Sequence, residues 1–338
     1  MPIFRKTLLI FASTIFYVGL ICFLNSSIFN FNLLNKQKDA DGKTIVLGAN
    51  EARAENSVNK TVNEYGLPQS EDVPELSFVV PQKKDGAVEI EIGSSFGIVI
   101  DEDSGKTLYK KNEDVVTSVA SLTKLMTAMI FLDSNVPFDD VYEIKDSDKE
   151  EGGREYLYRG DKIKIIDLLN LSLIGSINTA TKALAQSTGM TEKEFVSKMN
   201  QRAHDMGLEK TNFTDTVGLS DNNVSTALEM SKIVKEALSS EQILEITQNK
   251  KYEFITLQGR KGVVYATDLL LEVFPFGGIN ILGGKTGYTN AAGYCFAGKF
   301  INSNENKIIS VVLRGQDIDS RFDYTRKIVE WVYDNYVW

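Results

Sequence analysis

The sequence predicts an α/β protein of the α+β kind: an antiparallel sheet covered by helices, with an all-helical subdomain beside it. Three observations predict this. Phe96-Gly-Ile-Val-Ile-Asp101 and Thr107-Leu-Tyr-Lys110 flank Glu102-Asp-Ser-Gly105, the pattern of a hairpin. A series of segments with helical periodicity follows. Three more strand-like runs, Asn280 to Thr289, Gly293 to Phe300 and Lys307 to Arg314, are separated by turns bearing Asn and Gly, as in an antiparallel meander.

Composition narrows the function classes. A chain of 338 residues, 43% apolar and 25% charged, is ordinary globular material for one large domain or two modest ones. A net charge of -9 without any Lys/Arg cluster argues against a nucleic-acid partner. The single histidine, His204, removes the paired-His zinc sites, and neither metal nor cofactor is expected. A Ser-His-Asp triad would have to use His204, which is expected at the surface or at a helix end. The two cysteines, Cys22 and Cys295, are not expected to pair, because Cys22 falls inside a membrane-like run.

That run begins the chain. Arg5 and Lys6 precede an uncharged stretch from Thr7 to Leu24, long enough to span a bilayer. Basic residues on the short N-terminal side put that end in the cytoplasm, so residues 1–24 are expected to be a single-pass cell-membrane anchor with the rest extracytoplasmic. A cleaved signal peptide, giving a secreted protein, is the alternative. Residues 25–76, rich in Asn, Lys, Asp, Glu and Ser, read as a tether. Stretched, it would reach roughly 170 Å, and relaxed it would average about 40 Å. Residues 77–338 are expected to form the folded domain.

After the first hairpin comes Thr117-Ser-Val-Ala-Ser121-Leu-Thr-Lys124-Leu-Met-Thr-Ala-Met-Ile-Phe-Leu132. If Ser121 begins a helix, Lys124 lies one turn on and on the same face, within reach of the Ser121 hydroxyl. Leu125, Met126, Met129 and Ile130 give that helix a wide apolar face, which would bury it. A lysine shielded from water loses some of its preference for the charged form and can act as a general base toward serine. Ser57-Val-Asn-Lys60 has the same spacing but no apolar helix after it.

Two short strand-like pieces lie between Val141 and Lys164, and Ile165 to Ile174 reads as a strongly apolar helix ending in Gly175-Ser176-Ile-Asn178. Ser176 offers a second hydroxyl for proton relay, and the Asn178 amide could hold a substrate backbone. Ser220-Asp-Asn222 is the rival triplet, but no buried helix leads into its polar loop. Thr191 to Met206 reads as a helix burying Phe195, Met199, Ala203 and Met206, and a helix near Ser225 to Met230 precedes a polar region around Lys250. In Gly283-Gly-Lys285-Thr-Gly-Tyr-Thr289, on a strand before a turn, Lys285 supplies positive charge and Thr286 a hydroxyl for a substrate carboxylate, while Gly287 lets another backbone come close. An amphipathic helix, about Ser320 to Tyr336, would cover the meander.

Ser121-Leu-Thr-Lys124, Ser176-Ile-Asn178 and Lys285-Thr-Gly287, in this order, resemble the three motifs of the penicillin-recognising serine enzymes. Within that group the chain is most similar to the D-alanyl-D-alanine carboxypeptidases, the low-molecular-weight penicillin-binding proteins, from about Phe96 to Trp331. Met206-Gly-Leu, Gly218-Leu219 followed by Ser225-Thr-Ala227, Ala291-Ala-Gly-Tyr-Cys295 and Ser310-Val-Val-Leu313 extend the likeness. It implies a serine β-lactamase/DD-peptidase-like fold, a peptidoglycan stem peptide as substrate and β-lactam antibiotics as covalent inhibitors. It also implies an oxyanion site at the backbone N–H groups of Ser121 and Tyr288, and a carboxylate site that adds Arg321 to Lys285 and Thr286.

The chain departs from the family pattern in three places. Ser118-Val-Ala precedes Ser121 where Ser-Pro-Ala or Pro-Ala is usual, and Ile177 and Thr179 stand where Gly and Asp are typical. Many relatives continue into a small β-rich domain and an amphipathic C-terminal membrane helix. Neither is expected here, so anchoring falls to the N-terminal run. The expected activity is removal of the terminal D-alanine. An endopeptidase cutting D-Ala crosslinks shares all the motifs. A class A β-lactamase would need a Glu-x-x-Leu-Asn loop, which does not occur from Asn178 to Lys285. A non-catalytic wall-binding protein is the reading from another class, and the intact motifs count against it.

Overall fold

The computed structural model describes residues 79–150 and 155–338, together with a short antiparallel pair, Gln37–Lys38 with Thr44–Ile45, in the separate N-terminal unit Met1–Val73. The expected membrane run, most of the expected tether and Ser57-Val-Asn-Lys60 lie outside the described residues. Among the described residues no helix is long and apolar enough to cross a membrane.

Strands β1 (Phe96–Asp101) and β2 (Thr107–Lys111) form the expected first hairpin, and β3 (Ile279–Thr289), β4 (Gly293–Asn302) and β5 (Lys307–Gly315) form the expected meander. All five join one antiparallel sheet in the order β3-β4-β5-β1-β2. The two sequence-distant parts meet where Ile100 pairs with Ile309 and Ile98 with Val311. Every residue of β1 is buried, as a central strand covered on both faces requires.

Alternation along the strands sorts side chains between two cores. Ile98, Ile100, Ile309, Val311 and Leu313 pack on one side with the helical part of the molecule. Val99, Phe296, Phe300, Ile308 and Val312 pack on the other, against Phe322, Ile328, Val329 and Val332 of the C-terminal helix Ser320–Asn335. Each fully buried Phe or Ile contributes roughly 2 kcal/mol, so this helix holds the far face of the sheet firmly.

Helix α1 (Thr123–Asp133) lies between the sheet and the helical subdomain, with every residue from Thr123 to Phe131 buried. Apolar residues are spread round the helix rather than confined to one stripe, and the polar Thr123, Lys124 and Thr127 are buried among them. The subdomain contains α2 (Ile165–Ile174), α3 (Asn178–Ser187) and α4 (Glu192–Asp205). Thr191 and Glu194 close a capping box that starts α4, and Phe195, Met199 and Ala203 form its buried face. His204 is exposed near the end of α4, as expected.

Several boundaries differ from the sequence reading. Ser121 does not begin α1: it lies in a preceding 3-10 turn, Ala120–Leu122, entered by Ala120 at φ +48°. Helix α5 (Ala227–Ala237) continues beyond Met230, and its Thr226 cap accepts from Glu229 N–H at 3.0 Å. Two elements emerge from the stretch read as polar: α6 (Glu241–Thr247), and a hairpin of Lys251–Ile255 with Lys261–Tyr265. The hairpin turns Phe254 and Val264 inward and Lys251, Glu253, Ile255, Lys261, Val263 and Tyr265 outward, so most of its residues are exposed.

Candidate active site

The elements converge on a cleft of about 880 Å³ lined by Ser121, Ser176, Asn178, Thr286, Gly287 and Arg321 among others. Thus the nucleophile turn, the α2–α3 junction, β3 and the C-terminal helix each present a motif residue to one space. A second groove, about 600 Å³, runs beside β2 and is lined by none of these residues.

Lys124 is fully buried, and its Nζ lies 2.9 Å from Ser121 Oγ, 2.8 Å from Asn178 Oδ1 and 2.7 Å from the Val217 carbonyl. Burial lowers its pKa from the usual lysine value to about 7, against the opposing pull of Asp215 and Glu150. A neutral amine has two N–H groups and one lone pair. With Val217 and Asn178 accepting the two N–H groups, the lone pair faces the Ser121 hydroxyl. The arrangement can therefore take the serine proton.

Asn178 was read as a holder of substrate backbone; the structure gives its Oδ1 a contact with the amine. Ser176 sits at φ +57° between α2 and α3, a conformation uncommon for a serine, and this aims its hydroxyl into the cleft lining. Ile177, where Gly is typical of relatives, has φ -73° and a buried side chain, so this junction accepts a β-branched residue. Ser220 of the rival triplet is bonded within its own loop, to the Thr214 hydroxyl at 2.9 Å.

Lys285 is also buried, and its Nζ donates to Ser176 Oγ at 2.8 Å and to the Thr286 carbonyl at 3.0 Å. Burial first, then the neighbouring Lys124 and Arg321 charges, push its pKa well below the lysine value. An incoming carboxylate would restore the ammonium. Arg321 donates from Nη1 to the Gly287 carbonyl at 3.3 Å, and its guanidinium stacks on Tyr294 and Phe322. Lys285, Thr286 and Arg321 thus gather on one side of the cleft.

Glycines permit the close approach of three segments. A Cβ at Gly287 would lie 3.1 Å from the Val119 carbonyl oxygen and 3.2 Å from Ser121 N, so a side chain there would crowd the nucleophile turn where β3 passes it. The sequence reading took Gly287 as a point where another backbone comes close, and here the nearest backbone is that of the nucleophile turn. The Tyr288 side chain is half exposed and stacks on Tyr294, with ring centroids 4.2 Å apart.

Sequence reasoning missed several residues here. Thr267, after the unforeseen hairpin, sets its hydroxyl 2.5 Å from that of Thr286. Asp268 is buried, with Oδ1 accepting from Leu270 N–H at 2.9 Å. Burial raises its carboxyl to about 7, although Arg321 and Lys285 oppose the shift. Asp268 Oδ2 and Arg321 Nε are both buried without a hydrogen-bond partner among the described residues. Asp215 and Gly218 belong to the loop under Lys124. A strand alternation at Lys251-Tyr-Glu-Phe254 was the available signal for the hairpin, whereas the Asp positions carried none. Cys295 is a free, buried thiol, and no cluster of metal-binding side chains occurs among the described residues.

Comparison with known proteins agrees with this geometry. The family model described as D-alanyl-D-alanine carboxypeptidase matches residues 82–317. The chain is 32% identical over 260 residues to a D-alanyl-D-alanine endopeptidase of Pseudomonas aeruginosa, covering 75% of this chain and 81% of that protein. It is 29% identical to the D-alanyl-D-alanine carboxypeptidase DacF of Bacillus subtilis, covering 75% and 66%. Among solved structures, the Streptomyces K15 DD-transpeptidase superposes with a TM-score of 0.68 at 27% identity, covering 73% of this chain and 99% of that one. Penicillin-binding protein D2 from Listeria monocytogenes, in a cefotaxime-bound form, gives 0.63 at 27% identity, covering 73% and 99%. The fold is the expected DD-peptidase fold, and the chain belongs to the D-alanyl-D-alanine carboxypeptidase family of serine peptidases.

Proposed function

We propose that this chain is a serine-type D-Ala-D-Ala carboxypeptidase that removes the terminal D-alanine from peptidoglycan stem peptides through an acyl-enzyme on Ser121. The observation that carries the reading is the gathering of Lys285, Thr286 and Arg321 beside Ser121, a receptor suited to a carboxylate next to the scissile bond. Ser121 Oγ attacks the penultimate carbonyl while its proton passes to Lys124 Nζ. The backbone N–H groups of Ser121 and Tyr288 hold the oxyanion, each worth about 3 kcal/mol of barrier. Ser176 delivers a proton to the departing amine as the C–N bond breaks, and Asn178 keeps Lys124 oriented. Water then hydrolyses the ester, returning Ser121 and the shortened peptide. A β-lactam forms the same ester, but its amine stays tethered and the adduct persists.

Endopeptidase activity is the second reading. Curated relatives from Pseudomonas aeruginosa, Escherichia coli and Haemophilus influenzae carry that name. A crosslink whose amine partner bears its own α-carboxylate would also suit the cationic receptor. The N-terminal run is proposed as the membrane anchor, with the enzyme outside the cytoplasm or, if the run is cleaved, secreted.

The test is to incubate the protein and its Ser121→Ala variant with a pentapeptide ending in D-Ala-D-Ala, with a crosslinked dimer, and with benzylpenicillin. Release of D-alanine and a stable penicillin ester, both absent from the variant, support the carboxypeptidase. Cleavage of the dimer alone transfers the assignment to the endopeptidase. Penicillin consumed without a lasting adduct makes the protein a β-lactamase, and no reaction with any of the three overturns the enzymatic reading.

A further inference from the structure

The loop that follows Phe213 is fastened to the nucleophile helix on both sides of Lys124. Asn223, fully buried, donates from Nδ2 to Thr123 Oγ1 at 3.1 Å and to the Asp215 carbonyl at 3.1 Å, while its Oδ1 accepts from Thr214 N–H at 2.8 Å. Thr127, three residues after Lys124, donates its hydroxyl to the Thr216 carbonyl at 2.6 Å. Between these two fastenings the Val217 carbonyl meets Lys124 Nζ.

Asp215 shapes the loop at that point. Its Oδ1 accepts from Val217 N–H at 2.8 Å and from Gly218 N–H at 2.5 Å, and its Oδ2 accepts from Ser220 N–H at 2.6 Å. The N–H groups on both sides of the Val217 carbonyl are therefore bound by one carboxylate. Charge-assisted bonds of this length hold geometry more firmly than neutral ones.

We propose that Asp215 is a positioning residue for acylation: it fixes the Val217 carbonyl that aims the Lys124 amine at Ser121, and its carboxylate acts on that amine through its charge. This rests on Lys124 acting as the base toward Ser121. The charged groups that act on Lys124 are Asp215, Glu150 and Lys285. Glu150 is engaged in an ion pair with Lys182, and Lys285 is itself driven toward neutrality by burial. Asp215 is thus the principal counterweight to burial and keeps the amine basic enough to accept a proton.

The sign follows from this. The amine attacks the proton in its neutral form, so the acid limb of acylation reports its pKa. Removing the Asp215 charge lowers that pKa, and the limb moves to lower pH. A merely structural role would lower the plateau and leave the limb where it was.

The experiment measures the second-order rate of benzylpenicillin ester formation on Ser121 by intact mass, from about pH 5 to about pH 9, for the full chain and for Asp215→Asn and Asp215→Glu. Melting temperatures are recorded alongside. In Asp215→Asn the limb is expected to fall by at least about half a pH unit, with a plateau roughly 3- to 30-fold lower. Asp215→Glu keeps the charge but disturbs the three bonds, so its limb stays at the wild-type pH while its plateau falls. An unmoved limb in a folded Asp215→Asn variant overturns the proposal. If Asp215→Asn does not fold, a displaced limb in Asp215→Glu overturns it. If the wild-type chain itself forms no Ser121 ester, the proposed function fails rather than the role of Asp215.

Discussion

Gly218→Ala tests how tightly the nucleophile turn is held. Gly218 has φ +87°, and a Cβ there would lie 2.0 Å from the Ala120 carbonyl oxygen and 2.9 Å from Ser121 N. Ordinary contact begins near 3.4 Å, so one backbone must move by about 1.4 Å. The left-handed conformation alone costs an L-residue about 1–2 kcal/mol. The larger effect is on geometry, because the loop is fastened through Asn223 and Thr127 and cannot swing away freely. The displacement falls on Ala120 and Ser121, and a shift near 1 Å at reacting groups costs about 100-fold in rate. The assay is the benzylpenicillin acylation rate by intact mass, with thermal melting as the control for folding. A folded variant that acylates within about threefold of wild type would refute the reasoning, since the turn would then tolerate a displacement larger than catalytic alignment allows.

With the Lys124 pKa lowered to about 7, acylation by benzylpenicillin should fall about tenfold per pH unit on the acid side of that value and level off above it. Stopped reactions at a series of pH values check this. Arg321→Leu should lower kcat/KM for a pentapeptide ending in a free carboxylate by about 10- to 100-fold, and should change the rate for its C-terminal amide far less. Asp268→Asn should stabilise the protein above neutral pH. The folded-state carboxyl is raised from 3.8 to about 7, so both states are protonated below 3.8 and no cost exists there. Between these values the folded chain keeps a proton that the unfolded chain has lost, and stability falls as pH rises. The gain from Asn should be on the order of 4 kcal/mol at pH 8 and should vanish toward pH 4, read from denaturant melts at the two values. Equal effects at both would show that Asp268 is ionised in the folded protein throughout.

What could be read from the sequence was chemistry concentrated in a few adjacent residues. Ser121 and Lys124 announced themselves through spacing and through an apolar helix that the structure buries on all sides. Lys285, Thr286 and Gly287 were legible only because they lie on a strand downstream of the other two motifs, since a glycine-rich hairpin with a surface lysine reads the same by itself. Arg321 came only from resemblance, since an arginine early in an amphipathic helix looks like any solvated residue. Asp215, Thr267 and Asp268 were silent for a different reason. Each acts on a partner brought close by tertiary packing, as Asp215 does beneath Lys124, a helix more than 90 residues earlier in the chain. The hairpin of Lys251–Ile255 and Lys261–Tyr265 was hidden by its outward charges, though its alternation was present. The 3-10 turn at Ser121 reflects the two glycine-permitted approaches of Gly218 and Gly287, which no local propensity encodes.

The burial of α1 from Thr123 to Phe131 bears on how activity is lost. Local opening in proteins begins where few apolar contacts must be broken, and it reaches central elements only when the whole structure opens. A serine set in the turn that leads directly into this helix is anchored next to an element that does not fray, and the backbone amides of α1 from Thr123 to Phe131 should be among the last to exchange with solvent deuterium. The carboxylate receptor stands differently, with Lys285 and Thr286 on the sheet's edge strand β3. Mild heat or denaturant should therefore impair recognition of the peptide terminus first, while Ser121 can still be acylated.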